Sequence, residues 1–84
     1  MKRIIEVVHT IEVELDEEKF TEEFMAEFRS YITPLFTIDE HAEYLASRYA
    51  SGDIDEWGFV EGYGEAKEFG IKFRLISEEA TAID

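Results

Sequence analysis

Residues 16–32 read DEEKFTEEFMAEFRSYI, and two patterns run through them together. Phe20, Phe24, Phe28 and Ile32 recur every fourth residue with Met25 and Tyr31 beside them, the spacing of one broad apolar face on an α-helix. That face predicts the core. Glu22, Glu23 and Glu27 take the opposite side, and Asp16, Glu17 and Glu18 fall at or before the helix start. Only Lys19 and Arg29 stand among them as counter-charges. The acidic side is expected to meet solvent or a partner.

Upstream, residues 1–15 alternate as one long strand. Ile5, Val7, His9, Ile11, Val13 and Leu15 point one way, and Ile4, Glu6, Val8, Thr10, Glu12 and Glu14 the other. The odd-numbered face is the expected buried one, and His9 is expected to be half-buried on it. Near the start Ile4 and Val8 make the even face partly apolar as well, so another element or a second copy of the chain would be needed to cover that end.

Downstream, Pro34 ends the helix, because it lacks an amide donor and biases Thr33 away from helical angles. Residues 37–40, TIDE, fit a capping box, with Thr37 and Glu40 each satisfying the other's amide. A second helix therefore starts there. Ile38, Ala42, Leu45 and Tyr49 keep helical spacing with Ala46 beside them, and Gly52 is suited to the left-handed position that closes the helix. His41 reads as a surface residue of its first turn. After the acidic turn SGDIDE at 51–56, aromatic and β-branched residues with glycines predict two strands, 57–63 and 69–76, joined by a loop at 64–68. Gly58, Gly62 and Gly64 in the first of these imply a bulge or a close backbone approach. Residues 77–84 have little to bury and are expected to fray.

Eighty-four residues suit one domain with a single core, and a hydrophobic share of 45% is enough to fill it despite the charge. With no cysteine there is no disulfide frame, thiolate metal site or cysteine nucleophile, and a cytoplasmic setting follows as the expectation. Residues 4–8 are too short, and too interrupted by Glu6, for a membrane span. The charge is the main compositional signal: 21 Asp and Glu stand against 8 Lys and Arg, a formal net charge of −13. Such a chain repels nucleic-acid phosphates and anionic membranes, and it attracts basic surfaces with a salt-sensitive on-rate.

Motifs for chemistry are weak. His41 with Asp39, Glu40 and Glu43 lacks the paired histidines of helical zinc motifs. Asp53, Asp55 and Gly58 match the first, third and sixth positions of a calcium loop, but Trp57 takes the fifth and Glu65 falls one residue late. The glycines of GFVEGYGEAK do not form a nucleotide loop. No catalytic triad or carboxylate pair is singled out, so no cofactor, metal or enzymatic activity is expected. Trp57, Phe59, Tyr63 and Phe69 read as packing residues with an interface role as the alternative.

The carboxylates remain. Acids three and four apart on a helix stand about 5–6 Å from one another, and one DNA strand carries a charge about every 3.4 Å along the axis. Glu12, Glu14, Glu17, Glu18, Glu22, Glu23 and Glu27 are therefore the expected partner-binding residues, a polyanionic strip able to occupy a nucleic-acid channel by DNA mimicry. The bland alternative is a solvated helix face. Like charges at Glu18/Glu22 and Glu23/Glu27 cost helix stability and count against it.

The order HTIEVELDEEKFTEEFMAEFRSYI, IDEHAEYLASRYASG and GFVEGYGEAKEFGIKF resembles small acidic proteins of phages and mobile elements. It is also similar to anti-CRISPR proteins directed at type I systems, including type I-C. The resemblance spans residues 4–75, and its most specific pieces are Glu27-Phe28, Glu40-His41-Ala42-Glu43 and the run from Phe59 to Gly64. Glu65 stands where a proline is expected in that group. The resemblance implies a compact α/β fold, with a dimer as an option, that binds the RNA-guided surveillance complex and stops it engaging target DNA. The effector's cationic contacts to the DNA backbone would be the surface occluded.

These readings combine into a single α+β domain of order βααββ: a three-stranded antiparallel sheet with two helices on one face, its first strand paired with its last. A homodimer would cover the remaining edge. The expected function is inhibition of a type I surveillance complex. The alternative is a phage accessory protein that self-associates or binds another phage or host protein, its acidity serving solubility.

Overall fold

In a computed structural model, which describes residues 1–54 and 58–83, the chain is α+β, with a different sheet arrangement from the one expected. Strand β1 (Ile5–Glu14) leads into a 3-10 turn (Glu17–Lys19) and helix α1 (Glu22–Tyr31). Helix α2 (Ile38–Ala50), strands β2 (Phe59–Val60) and β3 (Gly64–Glu65), the four-residue helix α3 (Ala66–Phe69) and strand β4 (Lys72–Ala82) follow. Among the described residues there are two antiparallel two-stranded sheets, β1–β4 and β2–β3, and no three-stranded one. The first strand does pair with the last.

Each helix boundary has a local cause. The Thr21 hydroxyl accepts from the Phe24 amide and starts α1 at Glu22, leaving Phe20, expected on the helix, in the preceding turn. There the Asp16 carboxylate accepts from the Glu18 amide. The capping box of α2 is present with both halves: Glu40 N–H donates to the Thr37 hydroxyl at 3.1 Å, and Thr37 N–H donates to the Glu40 carboxylate at 3.2 Å. Such a cap contributes about 1 kcal/mol. Gly52 follows Ser51, the C-cap of α2, with φ 82°, as its left-handed role required.

The core lies among α1, α2, the β2–β3 hairpin and α3. It is built from Phe20, Phe28, Leu45, Ile54, Val60, Tyr63, Ala66 and Ile71, with Phe24, Ile32, Val13, Leu15 and Phe73 packed against it. Phe20 meets Phe24 and Phe69 edge-on at 5.5 and 5.1 Å between ring centres, the geometry that aromatic quadrupoles favour. Only the base of the β1–β4 ribbon joins this core, where Tyr49 of α2 stacks on Phe73 of β4 at 4.5 Å.

Three expectations are corrected here. The strand expected at 57–63 is reduced to Phe59–Val60 followed by a turn, Trp57 lying outside the described residues. Phe69, expected to open the last strand, ends α3, and Gly70 in the left-handed region turns the chain into β4. The tail expected to fray instead continues β4 to Ala82: Ser77 to Ala82 pair residue by residue with Thr10 back to Ile5. Backbone pairing rather than burial organises it, because residues 77–82 are all exposed.

The resulting ribbon projects from the body, and the molecule measures 50 × 23 × 19 Å. Its odd-numbered face is half-covered only at Ile11, Val13 and the following Leu15, so the buried face expected along the whole of residues 5–15 is restricted to one end. A bulge between Thr10 and Ile11 interrupts the register. Among the described residues no helix is long and apolar enough to cross a membrane.

Candidate interaction surface

All seven sequence-selected acids are exposed, and the structure divides them into sets with different electrostatics. Glu12 and Glu14 lie on the outer, even-numbered face of β1, directly opposite Arg74 and Lys72 of β4. The Arg74 guanidinium donates to the Glu12 carboxylate at 3.0 Å. That end of the ribbon is partly neutralised, although an exposed pair of this kind contributes little to stability.

On α1 the acids separate by angle. At 100° per residue, Glu23 and Glu27 fall on one flank of the apolar stripe with Tyr31 one turn further on, while Glu22 lies on the other flank with Arg29. Arg29 donates to Glu22 at 2.8 Å and to the Leu35 carbonyl at 3.3 Å. Its guanidinium also sits 4.7 Å from the centre of the Phe36 ring. Among the described residues no cation stands within ion-pair distance of Glu17, Glu18, Glu23 or Glu27.

Glu27 also edges a cleft of about 290 Å³ lined by Phe24, Phe28, Tyr31, Ile32 and Gly62. Tyr31, expected in the core, is 80% exposed, because α1 ends there and its ring falls beside the stripe rather than under it. An aromatic ring next to unpaired carboxylates is suited to a basic side chain, with the acids supplying charge and the ring a flat apolar face. The signal for it was the i, i+4, i+8 row Glu23, Glu27, Tyr31. Phe59 is likewise exposed, on a second cleft of about 320 Å³ with Tyr44, Arg48, Asp53, Ile54, Val60 and Glu61.

The two histidines exchange roles relative to expectation. His9 is exposed on the ribbon, its Nδ1 3.8 Å from Glu78. His41 is fully buried, against its reading as a surface residue. It packs edge-on to Phe20 at 5.4 Å and Phe28 at 4.8 Å, and its Nδ1 and the Tyr63 hydroxyl share a 2.7 Å hydrogen bond. Nε2 is buried without a partner. Burial pushes the imidazole below its ordinary 6.5, Glu40 opposing and Arg29 adding to the shift. Burial, with Tyr44 nearby, raises Tyr63 far above its ordinary range, so its hydroxyl stays protonated. The ring is thus a neutral core group holding the hairpin turn to α2. Among the described residues no group of three or more His, Asp or Glu is arranged to hold a metal ion. No family model, curated protein or solved structure matches the chain.

Proposed function

We propose that the protein is a non-catalytic inhibitor that binds a nucleic-acid-handling protein complex by offering an acidic face to its cationic channel. The observation that carries this reading is the set Glu17, Glu18, Glu23 and Glu27, exposed and without a cation in ion-pair distance among the described residues, with the exposed Tyr31 sharing a cleft with Glu27. Glu23 and Glu27 stand on α1, capped by Thr21 and anchored by Phe28, and Glu17 and Glu18 in the preceding 3-10 turn capped by Asp16, so the charges are held before any partner arrives, which lowers the ordering cost of binding. The type I surveillance complex is the partner to test first. Its choice rests on the sequence resemblance alone.

A gel-shift competition tests the reading, with purified type I complex and labelled target duplex titrated with this protein at low and moderate salt. Loss of the shifted band is expected, weaker at the higher salt because exposed charge interactions are screened. Reversal of Glu23 and Glu27 to lysine should abolish the effect, while Glu22→Lys, on the flank already occupied by Arg29, should change it far less. Untouched DNA loading with folded protein in excess overturns the assignment to that complex. A second reading, a phage accessory protein that assembles through its own surfaces, is favoured by a separate feature, the projecting apolar ribbon.

A further inference from the structure

Past the last turn of α2, the inner face of the β1–β4 ribbon continues without a covering element among the described residues. Tyr49, Ala50 and Ile54 meet His9, Ile11, Leu75 and Glu78 around an open cleft of about 380 Å³. Beyond His9 and Glu78 the same face carries Val7 opposite Ala80 and Ile5 opposite Ala82. All four are uncharged in a chain that is 35% charged, and Ile5 and Val7 are each 49% exposed. A lone two-stranded ribbon is marginal in water, so a partner on this face would add to its stability.

We infer that a second copy of this chain docks here. The two ribbons lie antiparallel with inner faces together, and Ile5 and Val7 of each copy reach toward the cleft beside Tyr49 and Ile54 of the other. On this surface one strand offers the bulky Ile5 and Val7 and the other the small Ala80 and Ala82. An antiparallel two-fold lays each strand over its own copy, so the bulky rows of the two chains meet each other and the alanine rows do the same. The surface is complementary in charge: the tip carries the exposed Lys2 and Arg3 on a chain of net charge −13, and the antiparallel arrangement brings each cationic tip toward an acidic body.

Length resolves the repulsion that two such acidic chains would otherwise feel. The overhang from His9 to Ile5 is about 14 Å at about 3.4 Å per residue. Ribbons overlapping over that distance leave the bodies of two 50 Å molecules at opposite ends of the assembly. Their separation exceeds the screening length of about 8 Å at physiological salt. The inference stands independently of which partner the acidic face meets.

Sedimentation from about 5 to 300 μM tests it, the contact being near the low end of specific interfaces, where a dissociation constant on the order of 10 μM is expected. The mass should rise reversibly from the 9.8 kDa monomer to twice that value. Ile5→Asp with Val7→Asp should weaken association at least about 30-fold, while Val8→Asp, on the outer face at a similar 46% exposure, should not. Far-UV circular dichroism on each variant establishes that the body remains folded. As a readout without substitution, the Ile5 and Val7 methyl resonances should shift on dilution and that of Val8 should not. A monomer at the highest concentration overturns the inference and leaves the face to some other partner. Equal weakening by Val8→Asp overturns the choice of face.

Discussion

Replacing Gly62 with alanine probes how the hairpin turn is seated on α1. Gly62 has φ 90°, and a Cβ built on it overlaps the edge of the Phe28 ring and comes 3.1 Å from Ile32 Cγ1. Phe28 is 3% exposed and packed among the rings of Phe24, His41, Tyr44 and Tyr63, so it cannot step aside without moving its neighbours. Left-handed backbone costs a non-glycine residue about 1–2 kcal/mol. Overpacking a filled core adds about 1–3 kcal/mol, for a combined loss of about 2–5 kcal/mol. A domain of this size holds about 4–13 kcal/mol in total, so the variant approaches the limit of folding. Gly64 supplies the control, having φ 92° but nothing within 4 Å of an added Cβ. Gly64→Ala therefore carries the backbone cost alone. Urea denaturation followed by far-UV circular dichroism should place Gly62→Ala about 1–3 kcal/mol below Gly64→Ala, a gap of about 4–24 °C in Tm. Agreement of the two variants within about 0.5 kcal/mol would refute the Gly62–Phe28 contact on which the position of the turn depends.

Other expectations follow from single sites. Because His41 binds its proton less readily folded than unfolded, stability should be full above pH 6.5 and fall as the pH drops from there toward the lower folded value. One site limits that slope to about 1.4 kcal/mol per pH unit. An NMR titration placing His41 at or above 6.5 would contradict the burial argument. Thr37→Ala removes half of the capping box and should cost about 1 kcal/mol in urea unfolding, against no measurable change if the box is only a geometric coincidence. Leu45→Ala, at the fully buried centre of α2, should cost about 2–5 kcal/mol. In hydrogen exchange, amides from Ser77 to Thr81 that pair with β1 should be protected well beyond coil rates, and coil-like exchange there would restore the frayed tail.

Legibility in the sequence followed the range of the cause. The capping box at Thr37 and Glu40, the closing glycine at 52 and the apolar spacing of Phe24, Phe28 and Ile32 are local, and all were readable. The pairing of first strand with last was readable too, because both alternate. His41 was misplaced by its polarity, although it sits between Ile38 and Leu45 on the same helical stripe; only Tyr63, 22 residues on, makes its burial tolerable. The short α3 was hidden because Phe69 also begins a plausible strand pattern, and Gly70 decides the matter through its backbone rather than through hydrophobicity. The tail offers only Ala80, Ala82 and Ile83 as apolar residues, too few for burial to predict an element, and its order comes from cross-strand hydrogen bonds instead. For the acids, sequence identified the exposed set, but only the structure separated Glu22 and Glu12, which hold arginines, from Glu17, Glu18, Glu23 and Glu27.

The bulge near Thr10 works like a shift of reading frame. Before it, Leu75 and Phe73 share the inner face with Ile11 and Val13; after it, the even-numbered residues of β4 take that side, setting Ala80 beside Val7 and Ala82 beside Ile5. Had the register continued without the bulge, Glu79 and Thr81 would have occupied those places. The polarity of half the ribbon is thus encoded in a count of residues and not only in their kinds. Deleting Ile76, the residue without a cross-strand partner, would make the ladder regular and keep Ala80 opposite Val7 and Ala82 opposite Ile5, so the outer half of the ribbon owes its apolar inner face to one residue being left out of the pairing.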